Sequence, residues 1–210
     1  QGLHAEWCIF RETIEAAWSA LDRHLPGPLR DVMWAAAGSR EALLLDQTVF
    51  AQPALFALQV ALAALWRSWG VEPDWVSGHS VGELAAAHVA GVLSLDDAAR
   101  LVTARGRLMQ ALAPGGAMVS IAASESQVME AIGEGSPLVS IAAVNAPEAA
   151  VIAGPEADVR DIAGRFEQRG VATRRLTVSH AFHSPLVEPA LAELERVART
   201  VTHSRPEVGF

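Results

Sequence analysis

Three stretches of this 210-residue chain carry residues whose type and spacing can do chemistry. The first is Gly78-His79-Ser80-Val81-Gly82, a G-x-S-x-G pattern. Such a pattern holds serine on a tight strand-to-helix turn. The hydroxyl then stands at a helix N-terminus, where a following backbone N–H and the helix dipole can stabilise an oxyanion. The plainer reading is a glycine-bounded turn. Against it, a short strand-like stretch, Asp74-Trp75-Val76-Ser77, precedes the motif and a helical pattern, Val81 to Ala90, follows.

A serine nucleophile needs a base. Of seven histidines, His4, His24 and His203 sit in terminal or loop contexts and are read as solvent-facing. His79 belongs to the turn itself, and His88 lies among alanines as a packed side chain. That leaves His180 and His183 in Ser179-His180-Ala181-Phe182-His183-Ser184. His183 precedes a helix capped by Ser184 with Pro185 at its first position, and the positive end of that helix favours a neutral imidazole able to accept a proton. A helix-start histidine with no role is the alternative. A zinc site on this pair lacks an evident third ligand.

The third stretch holds one arginine out of place. On a helical pattern from Leu95 to Leu112, Ala98, Leu101, Val102, Leu108, Met109 and Leu112 form an apolar stripe. Arg105 falls in the middle of it, with Arg100 and Arg107 on the opposite side. A buried guanidinium is unfavourable unless an anion meets it. Either a protein carboxylate pairs with it, or it receives a carboxylate on a ligand, for which its planar fork is suited.

The elements that must position these residues are legible in part. Helices are expected over Phe10–Leu21, over Pro53–Trp69 with Pro at the first turn, and over Leu186–Thr200. Between them, residues 117–178 change character. They read as strand 117–123, helix 125–133, strand 138–145, strand 149–154, helix 156–169 and strand 171–178, a βαββαβ order of the ferredoxin-like kind. The domain division expected is 1–116 with 179–210, and 117–178 as an insertion.

Net charge is −8 without a basic block, which disfavours nucleic acid and anionic membranes as partners. The longest apolar run, Pro53–Trp66, reads as too short to span a bilayer, and no secretory signal is visible. A single cysteine, Cys8, excludes an internal disulfide and suits a reducing cytoplasm.

Taken together, Gly78-His79-Ser80-Val81-Gly82-Glu83, Arg105-Gly106-Arg107-Leu108-Met109-Gln110, Asn145-Ala146-Pro147 followed by Val151-Ile152-Ala153-Gly154, and His180-Ala181-Phe182-His183 resemble the acyltransferase domains of modular type I polyketide synthases. More distantly they are similar to malonyl-CoA:acyl-carrier-protein transacylases. The resemblance implies an α/β fold: an α/β-hydrolase-like large subdomain with an inserted ferredoxin-like small one. It implies Ser80 as nucleophile and His183 as base, then acid. It further implies Arg105 and Gln52 around the extender carboxylate, and the Val81 N–H as an oxyanion donor. Val81, His180, Phe182 and the Thr48–Gln52 segment match the malonyl-selecting form, with Phe182 filling the space of an α-methyl.

The implied reaction moves malonyl from malonyl-CoA to Ser80, then to the phosphopantetheine of an acyl carrier protein. No metal or bound cofactor is implied, and adjacent ketosynthase and linker domains are the expected neighbours. Relative to the family, a leading strand with its Gly-Gln-Gly loop and the segment after Phe210 are expected to be missing, leaving no acidic third triad member to name. Two rivals remain: a serine esterase or thioesterase, and an inactive truncated docking domain of a megasynthase.

Overall fold

Apolar residues at helical spacing shape most of the chain in the computed structural model, which describes residues 1–133, 135–178 and 180–210. The chain divides into two compact units, Gln1–Leu108 with Glu193–Phe210, and Met109–Ala192. The sheet-bearing span 117–178 lies inside the second unit. That unit also holds the loop after Ser179 because Ala181 packs on the sheet. Ser179 itself, the expected boundary, is outside the described residues.

The first unit is built from α1 (Gly2–Glu6), α2 (Cys8–Asp22), α3 (Leu29–Met33), α4 (Thr48–Ser68), α5 (Gly82–Val89) and the start of α6 (Leu95–Gln110). Phe10, Ile14, Trp18 and Leu21 of α2 meet Phe56, Ala57, Val60 and Leu65 of α4, with Ala98 and Val102 of α6 in the same core. Helix α4 begins a turn earlier than the sequence pattern predicts. Pro53 therefore lies within it, forgoing the bond its missing N–H would have made. At 21 residues α4 is long and apolar enough to cross a membrane, contrary to the reading of its apolar run alone. Its Phe50, Phe56, Val60 and Leu65 are instead buried in the core.

The strand expected over Asp74–Ser77 is reduced to one parallel bridge, Trp75 with Gly209. Val76 N–H donates to the Gly209 carbonyl at 2.8 Å and Gly209 N–H to the Asp74 carbonyl at 2.9 Å. A strand exists only where a partner lies alongside, and Gly209 supplies that for this short stretch alone. Of the α/β-hydrolase-like sheet expected here, the described residues of this unit carry only that bridge. His4 also departs from expectation. It is not solvent-facing, because its ring packs on Trp18 and Trp34 and its Nε2 lies 2.9 Å from Glu15.

In the second unit, β1 (Gly116–Ile121), α7 (Glu125–Ile132), β2 (Ser140–Ala146), β3 (Ala149–Pro155), α8 (Glu156–Glu167) and β4 (Thr173–Arg175) follow the expected βαββαβ order. The sheet is antiparallel, in the order β2-β3-β1-β4. Period-two alternation gives it two apolar faces. Val119, Ile121 and Ile152 meet Val128, Val159, Ile162 and Phe166 of the helices, whereas Met118, Val151 and Ala153 meet Ala181. The formal β4 is shorter than predicted, though bonds from Ala122 to Ala172 and from Leu176 to Met118 carry the pairing further. The helix predicted after Ser184 opens as a 3-10 turn, Pro185–Val187, before α9 (Glu188–Ala198). Pro189 has no N–H to bond back to residue 185, so a regular first α-turn is unavailable there.

Candidate active site

The turn before α5 puts Ser80 in the left-handed region at φ 56°. Serine avoids that region unless its surroundings impose it, and the local contacts do so. A Cβ on residue 78 would lie 2.1 Å from the Glu83 N, so only glycine fits where the chain doubles back. On the other side the packing is looser. A Cβ on residue 82 would meet Gln59 at 3.6 Å, an ordinary contact, so Gly82 is not required for space. Glu83, quoted in the motif but given no role there, closes the turn twice. Its Oε2 accepts from the Gly78 N–H at 3.1 Å, and its own N–H donates to the Ser80 carbonyl at 3.2 Å. The first N–H groups of α5 bond within the turn, at His79, Ser80 and Val81, while the Val81 N–H has no protein acceptor among the described residues. An open N–H donor beside a serine hydroxyl at a helix start is an arrangement that can stabilise an oxyanion.

Arg105 reaches this turn from α6. Its Nη2 donates to Ser80 Oγ at 3.1 Å and its Nη1 donates to Gln52 Oε1. Gln52 is 6% exposed, and its Nε2 donates to Thr48 Oγ1 at 2.7 Å, one turn back on α4. This bond fixes which end of the amide faces the guanidinium. Burial pushes the Arg105 pKa below the ordinary arginine value, and among the described residues no carboxylate forms an ion pair with it. Of the two readings open for Arg105, the protein-carboxylate pair is therefore not found among these residues.

Gly106 explains how α6 comes so close. A Cβ there would lie 2.9 Å from the Thr48 carbonyl and 3.3 Å from the Val49 Cα. A glycine inside a helix is unfavourable by about 1 kcal/mol, which was the available signal that close packing needs it.

In the second unit, Ala181 is buried, Phe182 packs against the Met118, Val151 and Ala153 cluster, and His183 is exposed at φ 60°. His180 is 7% exposed with Nε2 3.0 Å from the Leu112 carbonyl. His88 is packed as expected, its Nδ1 3.0 Å from the Leu93 carbonyl. Ser80, Val81, Gln52 and Arg105 are thus grouped on one unit, and His180, Phe182 and His183 on one loop of the other.

A family model described as the acyl transferase domain matches residues 5–210. A phenolphthiocerol synthesis polyketide synthase type I of Mycobacterium marinum is 55% identical over 208 residues, 99% of this chain and 10% of that protein. The chain thus spans about a tenth of that relative's length. Among solved structures, the acyltransferase domain from the second module of the salinomycin polyketide synthase is 50% identical. Its TM-score is 0.89, and the match covers 98% of this chain and 47% of that one. A malonyl CoA-acyl carrier protein transacylase from Coxiella burnetii is 29% identical with a TM-score of 0.86, covering 99% and 66% of the two chains.

Proposed function

This chain belongs to the acyl transferase domains of polyketide synthases, and we propose that it transfers malonyl units by way of an ester on Ser80. The observation that carries this reading is the 3.1 Å contact between Arg105 Nη2 and Ser80 Oγ. The two carbonyl carbons of a malonyl group are only about 2.5 Å apart, given standard bond lengths and angles. A cation that grips one end must therefore lie close to the nucleophile attacking the other.

In the first step Ser80 Oγ attacks the thioester carbon of malonyl-CoA. His183, the base by its place in the family motif, takes the hydroxyl proton. The tetrahedral oxyanion accepts from the Val81 N–H, then collapses with rupture of the C–S bond, and the proton passes to the departing coenzyme A sulfur. In the second step the phosphopantetheine thiol of an acyl carrier protein attacks the malonyl-Ser80 ester, His183 taking and returning a proton in the same way. Arg105 and Gln52 hold the free carboxylate throughout, which orients the carbonyl toward the oxyanion donor. Phe182 fills the volume an α-methyl would need, favouring malonyl over methylmalonyl. The carrier protein is the partner in this reading. Ketosynthase and linker domains are neighbours on one cytoplasmic polypeptide.

A serine esterase or thioesterase shares the Ser80 turn, but a neutral ester offers Arg105 no anion. Incubation with labelled malonyl-CoA separates the readings. A stable label on Ser80 that an acyl carrier protein removes supports the transferase. Rapid hydrolysis would mark an esterase, and absence of label an inactive domain.

A further inference from the structure

The loop that carries His183 is held at several points, and one of them is a side chain so far assigned to the substrate pocket. His180 is almost fully buried, and its Nε2 lies 3.0 Å from the Leu112 carbonyl just past the end of α6. A carbonyl can only accept, so Nε2 carries the hydrogen and the ring is fixed in orientation. The next residue is clamped as well. A Cβ on Gly116 would lie 2.7 Å from both the Ala181 N and Cβ, so β1 runs directly against this backbone. Ser184 Oγ donates to the Ala181 carbonyl at 2.8 Å and accepts from the Leu186 N–H at 3.3 Å. Phe182 N–H donates to the His180 carbonyl at 3.1 Å. Between these fixed points His183 sits at φ 60°, a conformation it keeps only because its neighbours impose it.

We propose that His180 is a positioning residue whose imidazole, tied to the Leu112 carbonyl, holds the 180–184 backbone in the form that aims His183. It does not act by contacting the acyl group. The proposal rests on the serine-transferase reading and assigns His180 a different task within it. His180 then governs the rate of acyl transfer, and extender choice is left to other side chains. Removing the tether leaves the part-buried Leu112 carbonyl without its donor and lets His183 relax toward negative φ, changing the direction in which its imidazole points.

The test uses two substitutions that separate the ring's bond from its bulk. His180→Leu keeps the volume and loses the donor. His180→Gln places an amide N–H near the Nε2 position and restores it. Single-turnover loading from malonyl-CoA, and kcat and KM for transfer to an acyl carrier protein, are measured for both, along with malonyl to methylmalonyl ratios in competition.

The expected result is a fall in kcat of about tenfold or more for His180→Leu, with KM within about twofold. His180→Gln should recover most of the rate at the parental substrate ratio. The assignment is overturned if His180→Leu keeps the parental kcat. It is equally overturned if both His180→Leu and His180→Gln shift KM or the substrate ratio by more than about twofold, since that marks a pocket wall. If His180→Leu does not fold, His180→Asn, too short to reach Leu112, takes its place with the same expectation. Ser80→Ala and His183→Ala run alongside. Full loading by either would remove the serine-transferase reading itself, and the His180 assignment with it.

Discussion

Arg105 donates from Nη2 to Ser80 Oγ at 3.1 Å, so the cation and the serine hydroxyl touch directly. In this arrangement the serine oxygen is an acceptor for the guanidinium. In the proposed reaction, a malonyl carboxylate takes over the guanidinium and frees the oxygen to attack.

Arg105→Ala should therefore lower malonyl loading by about one to two orders of magnitude, the loss of a charge-assisted contact of roughly 1.5–3 kcal/mol. Acetyl transfer should be spared or improved, because acetyl has no carboxylate to lose. With no protein anion paired to Arg105 among the described residues, the variant should melt no lower than the parent. Parallel malonyl-CoA and acetyl-CoA kinetics check this, and equal losses on both substrates would end the carboxylate-binding role.

Ser80→Ala and Ser80→Gly should both abolish covalent loading, yet they should differ in stability. Ser80 holds φ 56°, which alanine must also adopt under strain and glycine adopts freely. Relief of about 1 kcal/mol corresponds to a Tm for Ser80→Gly higher than for Ser80→Ala by about 2–4 °C. Equal melting temperatures would show that the turn does not impose the conformation in solution.

The two glycines of the motif should respond in opposite ways. Gly78→Ala drives a methyl to within 2.1 Å of the Glu83 N and should open the turn, with loss of loading and a clearly lowered Tm. Gly82→Ala meets only Gln59 at 3.6 Å and removes a helix-weakening glycine, so its Tm should match or exceed the parent's. Melting curves with loading assays decide it. Equal damage from both would refute the steric distinction.

In the second unit, Glu156 at the start of α8 accepts from Arg175 of β4 at 2.8 Å and from Arg160 at 2.6 Å. These contacts, Arg175 first, hold its carboxyl below the ordinary glutamate value. A depressed folded-state pKa stabilises the fold above the unfolded pKa, and that contribution is lost as pH falls through the folded one. Between about pH 5 and pH 3 the parent should therefore lose stability more steeply than Glu156→Gln, which has no proton to gain. At neutral pH the parent should be the more stable by a small margin, because the pair is exposed and screened, and the margin should vanish by about pH 3. Thermal melts across that range test it, and parallel curves would count against the assignment.

The sequence by itself singled out the candidate site residues and determined the order of elements in the second unit. G-x-S-x-G, an arginine inside an apolar stripe and period-two alternation are local signals, each written within one turn or one strand. It also determined the family, because several such motifs occur together in one chain. Only the tertiary structure decided that Gln52 and Ser80 share one guanidinium. Their neighbours along the chain carry no trace of a contact between residues 52, 80 and 105, which depends on Gly106 letting α6 meet α4. It alone reduced the predicted strand at 74–77 to a bridge, since a strand needs a partner that no local pattern can name. It also distinguished Gly78 from Gly82, identical in the motif, because steric necessity depends on what stands opposite, and only the folded chain sets that.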